Sequence, residues 1–240
     1  LGRDPLLLKA LADSTGLNIL TNVGYYGARQ NKFVPLPATV IDAEMMAGIW
    51  TEQWEKGIYD TGIKPGFIKI GVDKDSLSEF HRIIVRAAAL THLATGLTIA
   101  SHTGPALPAF QELEILEKEG VSPEAFSWVH ASSEKDIEKL VTAAKKGAWI
   151  SLDKLNDKNV DELLATIKTL KEKGCLNRIL LSHDAGWYDP AKENGGEFRG
   201  FSTMFERLIP AMKAAGFSEA EIRQILEINP AEAFAINVRK

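Results

Sequence analysis

Phe67-Ile68-Lys69-Ile70-Gly71-Val72 is an apolar run interrupted by one lysine, opened by Pro65-Gly66 and closed at Asp73. A short apolar run between turn residues reads as a strand covered on both faces. Five more runs have this character. They are 17–23, ending at Gly24; 97–101, after Gly96; 126–129, before His130; 148–152, after Gly147; and 178–182, after a Gly-Cys-Leu-Asn turn. Helical spacing fills the gaps. Leu77, Phe80, Ile84 and Ala87 follow Asp75 and Ser76, which can cap a helix, and that helix is expected over 75–95. Ile137, Leu140, Val141 and Ala144 follow Ser133, and Leu163, Leu164, Ile167 and Leu170 run toward Gly174. Further helical pieces are expected around 41–55 and before Gly120. Strands alternating with helices predict parallel βαβ units.

Composition narrows the class. The chain has 240 residues, 45% hydrophobic and 25% charged, with 28 Lys+Arg against 32 Asp+Glu and a net charge of −4. That balance leaves no electrostatic footprint for nucleic acid. No apolar run approaches the ~20 residues of a membrane-spanning helix. The lone Cys175 can form neither an internal disulfide nor a Cys-rich zinc site. There is no repeat, low-complexity tract or Pro/Ser-rich linker, so residues 1–240 are expected to form one barrel-type domain.

Two long connections, 25–66 and 184–200, follow strands. In a parallel barrel, the loops after strand C-termini build the active site. Ionisable residues recur at that end. Lys69 lies inside the first strand quoted, His102 follows 97–101, His130 follows 126–129, Asp153-Lys154 follows 148–152, and His183-Asp184 follows 178–182. Any one of these could be a solvated loop charge, but their common register gathers them on one face. Lys69 has two readings. It is a lysine snorkelling at a strand end, or a desolvated, neutral amine that captures carbon dioxide as an anionic carbamate. In the second reading His102 and His130 supply imidazoles for a divalent cation, and Asp184 supplies a hard oxygen ligand that can take a proton from water. His183, next to Asp184 on a strand, must face the other way and reads as a structural hydrogen-bonding residue. His81 and His92 read as surface or packing residues.

The order of these pieces resembles the phosphotriesterase-related family of the amidohydrolase superfamily. The carriers are Gly66-Phe67-Ile68-Lys69, Ser101-His102-Thr103, Trp128-Val129-His130 and Leu180-Leu181-Ser182-His183-Asp184, with the C-terminal Ile228-Asn229-Pro230-Ala231-Glu232-Ala233-Phe234. The resemblance implies a (β/α)8 TIM barrel of amidohydrolase type. It implies Lys69 as a carboxylated bridging ligand, His102 and His130 on the more exposed metal, and Asp184 on the more buried metal and shuttling the proton. The implied cofactor is a divalent metal, zinc first, as one or two ions. The implied reaction is hydrolysis of a small-molecule lactone or related ester by an activated hydroxide. An organophosphate triester is the alternative substrate. A homodimer is the implied assembly. A cytoplasmic location is expected, with a periplasmic one as the alternative.

The sequence also departs from the family. The His-x-His pair of the family's first strand has no counterpart here, and no His precedes His81. The segment opening Leu1-Gly2-Arg3-Asp4 resembles the family's segment after its second strand, so the chain is expected to cover strands three to eight, with one metal site weak. This supports a second hypothesis, a catalytically impaired relative or fragment with at most one metal. A third is a barrel enzyme using Lys69 as a Schiff-base amine. Asp153-Lys154 stands where organophosphate hydrolases often carry His, and Ser133 where they carry an acidic relay residue. Lys154 is therefore expected to favour an anionic lactone or phosphorylated sugar ester. Tyr25 and Tyr26 are expected to wall the pocket, and Trp187 to cover the leaving group.

Overall fold

The computed structural model describes residues 4–240, so the resemblance drawn on Leu1-Gly2-Arg3 lies outside the described residues. Its centre is a parallel sheet of six strands in sequential order: β1 (Asn22–Val23), β2 (Phe67–Gly71), β3 (Ile99–His102), β4 (Phe126–Val129), β5 (Trp149–Leu152) and β6 (Ile179–Leu181). All five pairings are parallel, and among the described residues β1 and β6 each have one neighbour. Between strands run α1 (Pro5–Thr15, before β1), α2 (Ala43–Lys56), α3 (Glu79–Thr95), α4 (Ala106–Lys118), α5 (Ile137–Lys146) and α6 (Val160–Glu172). None of the helices is long and apolar enough to cross a membrane.

Alternation along the strands separates two faces. Ile68, Ile70, Ile99, Phe126, Trp128, Ile150 and Ile179 are fully buried and belong to the main hydrophobic cluster. Their neighbours Phe67, Lys69, Ala100, Ser127, Val129, Ser151, Asp153 and Leu180 line a space of about 380 Å³ on the other, inner face. The register Lys69↔Ala100, Gly71↔His102 and His102↔Val129 sets the ends of three strands side by side.

Several boundaries differ from expectation for local reasons. The run 17–23 pairs only at Asn22–Val23, and Leu17 and Leu20 are 65% and 56% exposed. The last backbone bond upstream runs from the Gly66 amide to the Thr21 carbonyl (2.8 Å), and ladder pairing begins only at Asn22↔Phe67. α3 starts later than expected because Ser78, with extended backbone, caps it by accepting from the His81 amide (3.2 Å). α5 is capped by Asp136 rather than by Ser133. The C-terminal helices were not foreseen. Residues Met204–Leu208 and Gln224–Ile228 each form a wide π-helical turn running into α7 (Ile209–Ala214) and α9 (Asn229–Phe234), with α8 (Glu219–Arg223) before the second. Pro210 and Pro230 explain both, since proline lacks the donor and crowds the carbonyl one turn back. Buried Asn229 then ties this end to β6, donating to the Leu176 (2.9 Å) and Ile179 (2.7 Å) carbonyls.

Candidate active site

The C-terminal ends of the strands open into a cavity of about 730 Å³ lined by Tyr25, Tyr26, Lys69, His102, His130, Asp184 and Trp187 among others. That volume falls within the roughly 300–1,000 Å³ of small-ligand pockets. Seven of the eight residues expected to form the site therefore share one cavity. The eighth, Lys154, is not among its lining. Its exposed amine donates instead to the Ser133 hydroxyl (2.5 Å).

Each side chain is held differently. Part of Lys69 opens on the cavity, but its amine has interior surroundings and forms no ion pair among the described residues. Its one hydrogen bond is a long one to the Ile70 carbonyl (3.4 Å). Desolvation lowers its pKa to about 8, against the opposing pull of Asp153, Glu112 and Asp184. The His102 ring sits edge-on to His130 (centroids 4.4 Å) and to Tyr26 (4.9 Å). Burial first, then the His130 and Lys69 charges, bring His102 down to about 4, so it is neutral near pH 7. Neither of its ring nitrogens is hydrogen-bonded among the described residues.

His130 follows β4 with a left-handed backbone (φ 64°), which L-residues seldom adopt. Asp153 offsets that strain. It accepts from the His130 amide (2.7 Å), from the His130 ring at Nδ1 (2.7 Å) and from Ser151 (2.9 Å). Burial would raise the Asp153 carboxyl, but the His130 and Ser151 hydrogen bonds outweigh it and hold it low. An ionised Asp153 only accepts, so the proton sits on Nδ1 and the Nε2 lone pair of His130 is left uncommitted. Asp184 is also left-handed (φ 45°). Its backbone carbonyl accepts from Arg199 and from Trp187 Nε1 (3.0 Å), while its carboxylate is free of hydrogen bonds among the described residues. His183 faces out of the cavity. It is buried, and its Nε2 accepts from the Met204 amide (3.2 Å). His81 and His92 are buried packing residues.

Three contributors escaped the sequence reading. Asp153 orients His130 rather than facing substrate. Its signal was Ser151-x-Asp153, two residues on the inner face of one strand. Arg29 also lines the cavity, and nothing in its long loop marked it. Glu112 is fully buried on α4, binding the Ser101 hydroxyl and the Thr103 hydroxyl (2.6 Å) on either side of His102. Its signal was an acid on the apolar stripe Ala109, Leu113, Leu116.

Burial raises Glu112 to about 7, although both hydroxyls and Lys69 pull it down. The unfolded chain releases this proton near 4.5 and the folded one near 7. Keeping Glu112 buried therefore costs nothing below 4.5, progressively more between 4.5 and 7, and a constant amount above. Glu112→Gln, whose amide can satisfy both hydroxyls, should lose that pH dependence. Relative to the parent it should gain stability with rising pH across this window, by up to about 3 kcal/mol in urea titrations. Parallel stability-versus-pH curves would refute this.

A phosphotriesterase family model matches residues 1–234. The chain belongs to this family. Related family proteins include the phosphotriesterase homology protein of Escherichia coli, 26% identical over 238 residues, covering 98% of this chain and 80% of that protein. The aryldialkylphosphatase of Saccharolobus solfataricus is 26% identical, covering 98% and 77%. The human N-acetyltaurine hydrolase is 25% identical, covering 96% and 69%. The crystal structure of the Escherichia coli protein, complexed with phosphate in its active site, superposes with a TM-score of 0.86 over 97% of this chain and 80% of that one. The barrel-type α/β fold and hydrolase class of the family accordingly apply here.

Family members are typically dependent on divalent metals. Among the described residues no group of three or more His, Cys, Asp or Glu is placed to hold an ion. The donor chemistry nevertheless fits a cation. A neutral His102, the Nε2 lone pair of His130 and the Asp184 carboxylate all line one cavity, uncommitted to other partners, beside Lys69.

Proposed function

We propose that this protein is a metal-dependent hydrolase of lactones or related esters, with zinc as the first candidate metal. The observation that carries the reading is the convergence of Lys69, His102, His130 and Asp184 on one cavity, with the His102 ring, His130 Nε2 and the Asp184 carboxylate free of hydrogen bonds among the described residues. His102 and His130 would hold the cation, with Asp184 and a carboxylated Lys69 completing its ligands. Carboxylation joins the neutral Lys69 amine to carbon dioxide and releases one proton, giving an anion where an ammonium is poorly solvated. A divalent cation bound there supplies Lewis acidity and lowers the pKa of water.

The chain's own residues supply the rest. Asp153 fixes the His130 tautomer so that its lone pair faces the cavity. Asp184, held by backbone contacts alone, accepts the proton released as water adds to the acyl carbon, and returns it to the departing oxygen. Tyr25, Tyr26 and Trp187 wall the acyl and leaving groups.

The test is a substrate panel after chelation and reloading with zinc, manganese or cobalt. It comprises a γ-lactone, 4-nitrophenyl acetate, a dialkyl aryl phosphate and N-acetyltaurine. Turnover of the lactone or ester, lost on chelation and restored by metal, is expected. No turnover of any substrate under any metal would overturn the reading and favour an impaired relative. Preference for the phosphate or the amide would overturn the choice of substrate.

A further inference from the structure

Three successive non-glycine residues, Arg29, Gln30 and Asn31, take left-handed backbone conformations (φ 60°, 56° and 62°). Such conformations are disfavoured for L-residues, and a run of them persists only when its surroundings impose it. Here they do. The Asn31 amide donates to the Gly27 carbonyl (2.9 Å) and the Val34 amide to the Asn31 carbonyl (2.9 Å). Asp73, just after β2, accepts from the Arg29 amide (2.7 Å) and the Gln30 amide (3.2 Å). The clamp thus ties the loop after β1 to the end of β2, the strand that carries Lys69.

The clamp presents the Arg29 side chain to the cavity that holds His102, His130 and Asp184. Tyr26 lines the same cavity, its ring 4.9 Å from that of His102. The guanidinium has no hydrogen bond or ion pair among the described residues, and its neighbour Asp73 is occupied by backbone amides. A planar five-donor cation at a cavity wall, unpaired among the described residues, is suited to an oxyanion.

We infer that Arg29 binds an acidic group at the non-reacting end of the substrate, so that this site takes acyl compounds bearing a carboxylate, sulfonate or phosphate a short spacer from the scissile bond. The inference deepens the hydrolase reading and rests on it for the word substrate, but its test is binding. Lys154, the residue expected from sequence to attract anions, is engaged by Ser133 outside the lining, and Arg29 takes that role.

The probes are N-acetyl-β-alanine, its sulfonate and phosphate counterparts, and neutral N-propylacetamide, titrated calorimetrically into the intact protein. At least one anionic probe should bind tenfold or more tighter than the neutral one, with the margin shrinking as salt rises. Arg29→Asn, chosen because asparagine tolerates the left-handed backbone, should remove that margin. Arg29→Lys should retain part of it as a point charge. The anionic probe that gains most identifies the group. A margin without turnover in the substrate panel upholds the inference even as the hydrolase reading fails. Equal affinity for charged and neutral probes, or a margin that survives in Arg29→Asn, overturns it whatever the turnover.

Discussion

Lys69→Met should abolish divalent-metal uptake and ester hydrolysis together, lowering kcat/KM by on the order of a thousandfold or more. Methionine matches the lysine stem in length and keeps β2 apolar, so the strand between β1 and β3 should survive. The amine it removes has a single 3.4 Å hydrogen bond, to the Ile70 carbonyl, and the fields of Asp153, Glu112 and Asp184 only partly offset its desolvation. Folding lowers the Lys69 pKa from 10.5 to about 8. The cost of burying its charge is therefore full below about 8 and fades as pH approaches 10.5. The methionine variant should be at least as stable as the parent at pH 7, with the difference narrowing in alkaline solution. Metal analysis, initial rates and thermal melts check all three parts. A Lys69→Met protein that keeps its metal and its rate would mean that the amine is a bystander and that the two imidazoles suffice.

Gly24→Ala should be the most damaging single methyl group in the molecule. Gly24 ends β1 at φ +110°, and a Cβ there would lie 2.2 Å from the Lys69 carbonyl oxygen and 2.9 Å from its carbon. Both are backbone atoms of β2, so no side chain can rotate away. The alanine must strain its own backbone and also push β2 from β1, shifting the residue that carries the proposed ligand. A loss of about 3 kcal/mol or more is expected, with a fall in activity beyond what partial unfolding explains. Gly16→Ala separates the two effects. Gly16 is also left-handed (φ +71°), with nothing within 4 Å of the added methyl. That variant should lose only the conformational term, about 1 kcal/mol, and keep its activity. Equal losses in the two variants, measured by urea unfolding, would show that the close approach of Gly24 to Lys69 matters little.

These two residues also show what the sequence could and could not reveal. Lys69 stood out because a charge between two isoleucines is anomalous in any strand, whatever the fold. His102, His130 and Asp184 were legible through register, since each follows an apolar run at the same end. Gly24 was visible only as punctuation, because its closeness to Lys69 is a contact across 45 residues of chain. In the sequence Asp153 reads as a loop acid, and only the pairing of β4 with β5 shows it gripping the strained His130. The charge of Lys154 alone suggests a substrate contact, but a local partner, Ser133, takes its amine. The short β1 is a further case, for apolar content announces a strand but backbone hydrogen bonds to the partner decide where pairing stops. The helical turns before Pro210 and Pro230 were hidden because proline reads as a helix breaker, while a widened turn accommodates it.

In the proposed site Lys69, as an anion, would share a cation with His102, His130 and Asp184. Anomalous diffraction from crystals grown with zinc and bicarbonate decides whether it does. A metal peak within bonding distance of both imidazoles and the Asp184 carboxylate, with carboxylate density on the Lys69 amine, is the expected result. A bare amine still directed at the Ile70 carbonyl, with metal absent from the cavity or bound elsewhere, would contradict it.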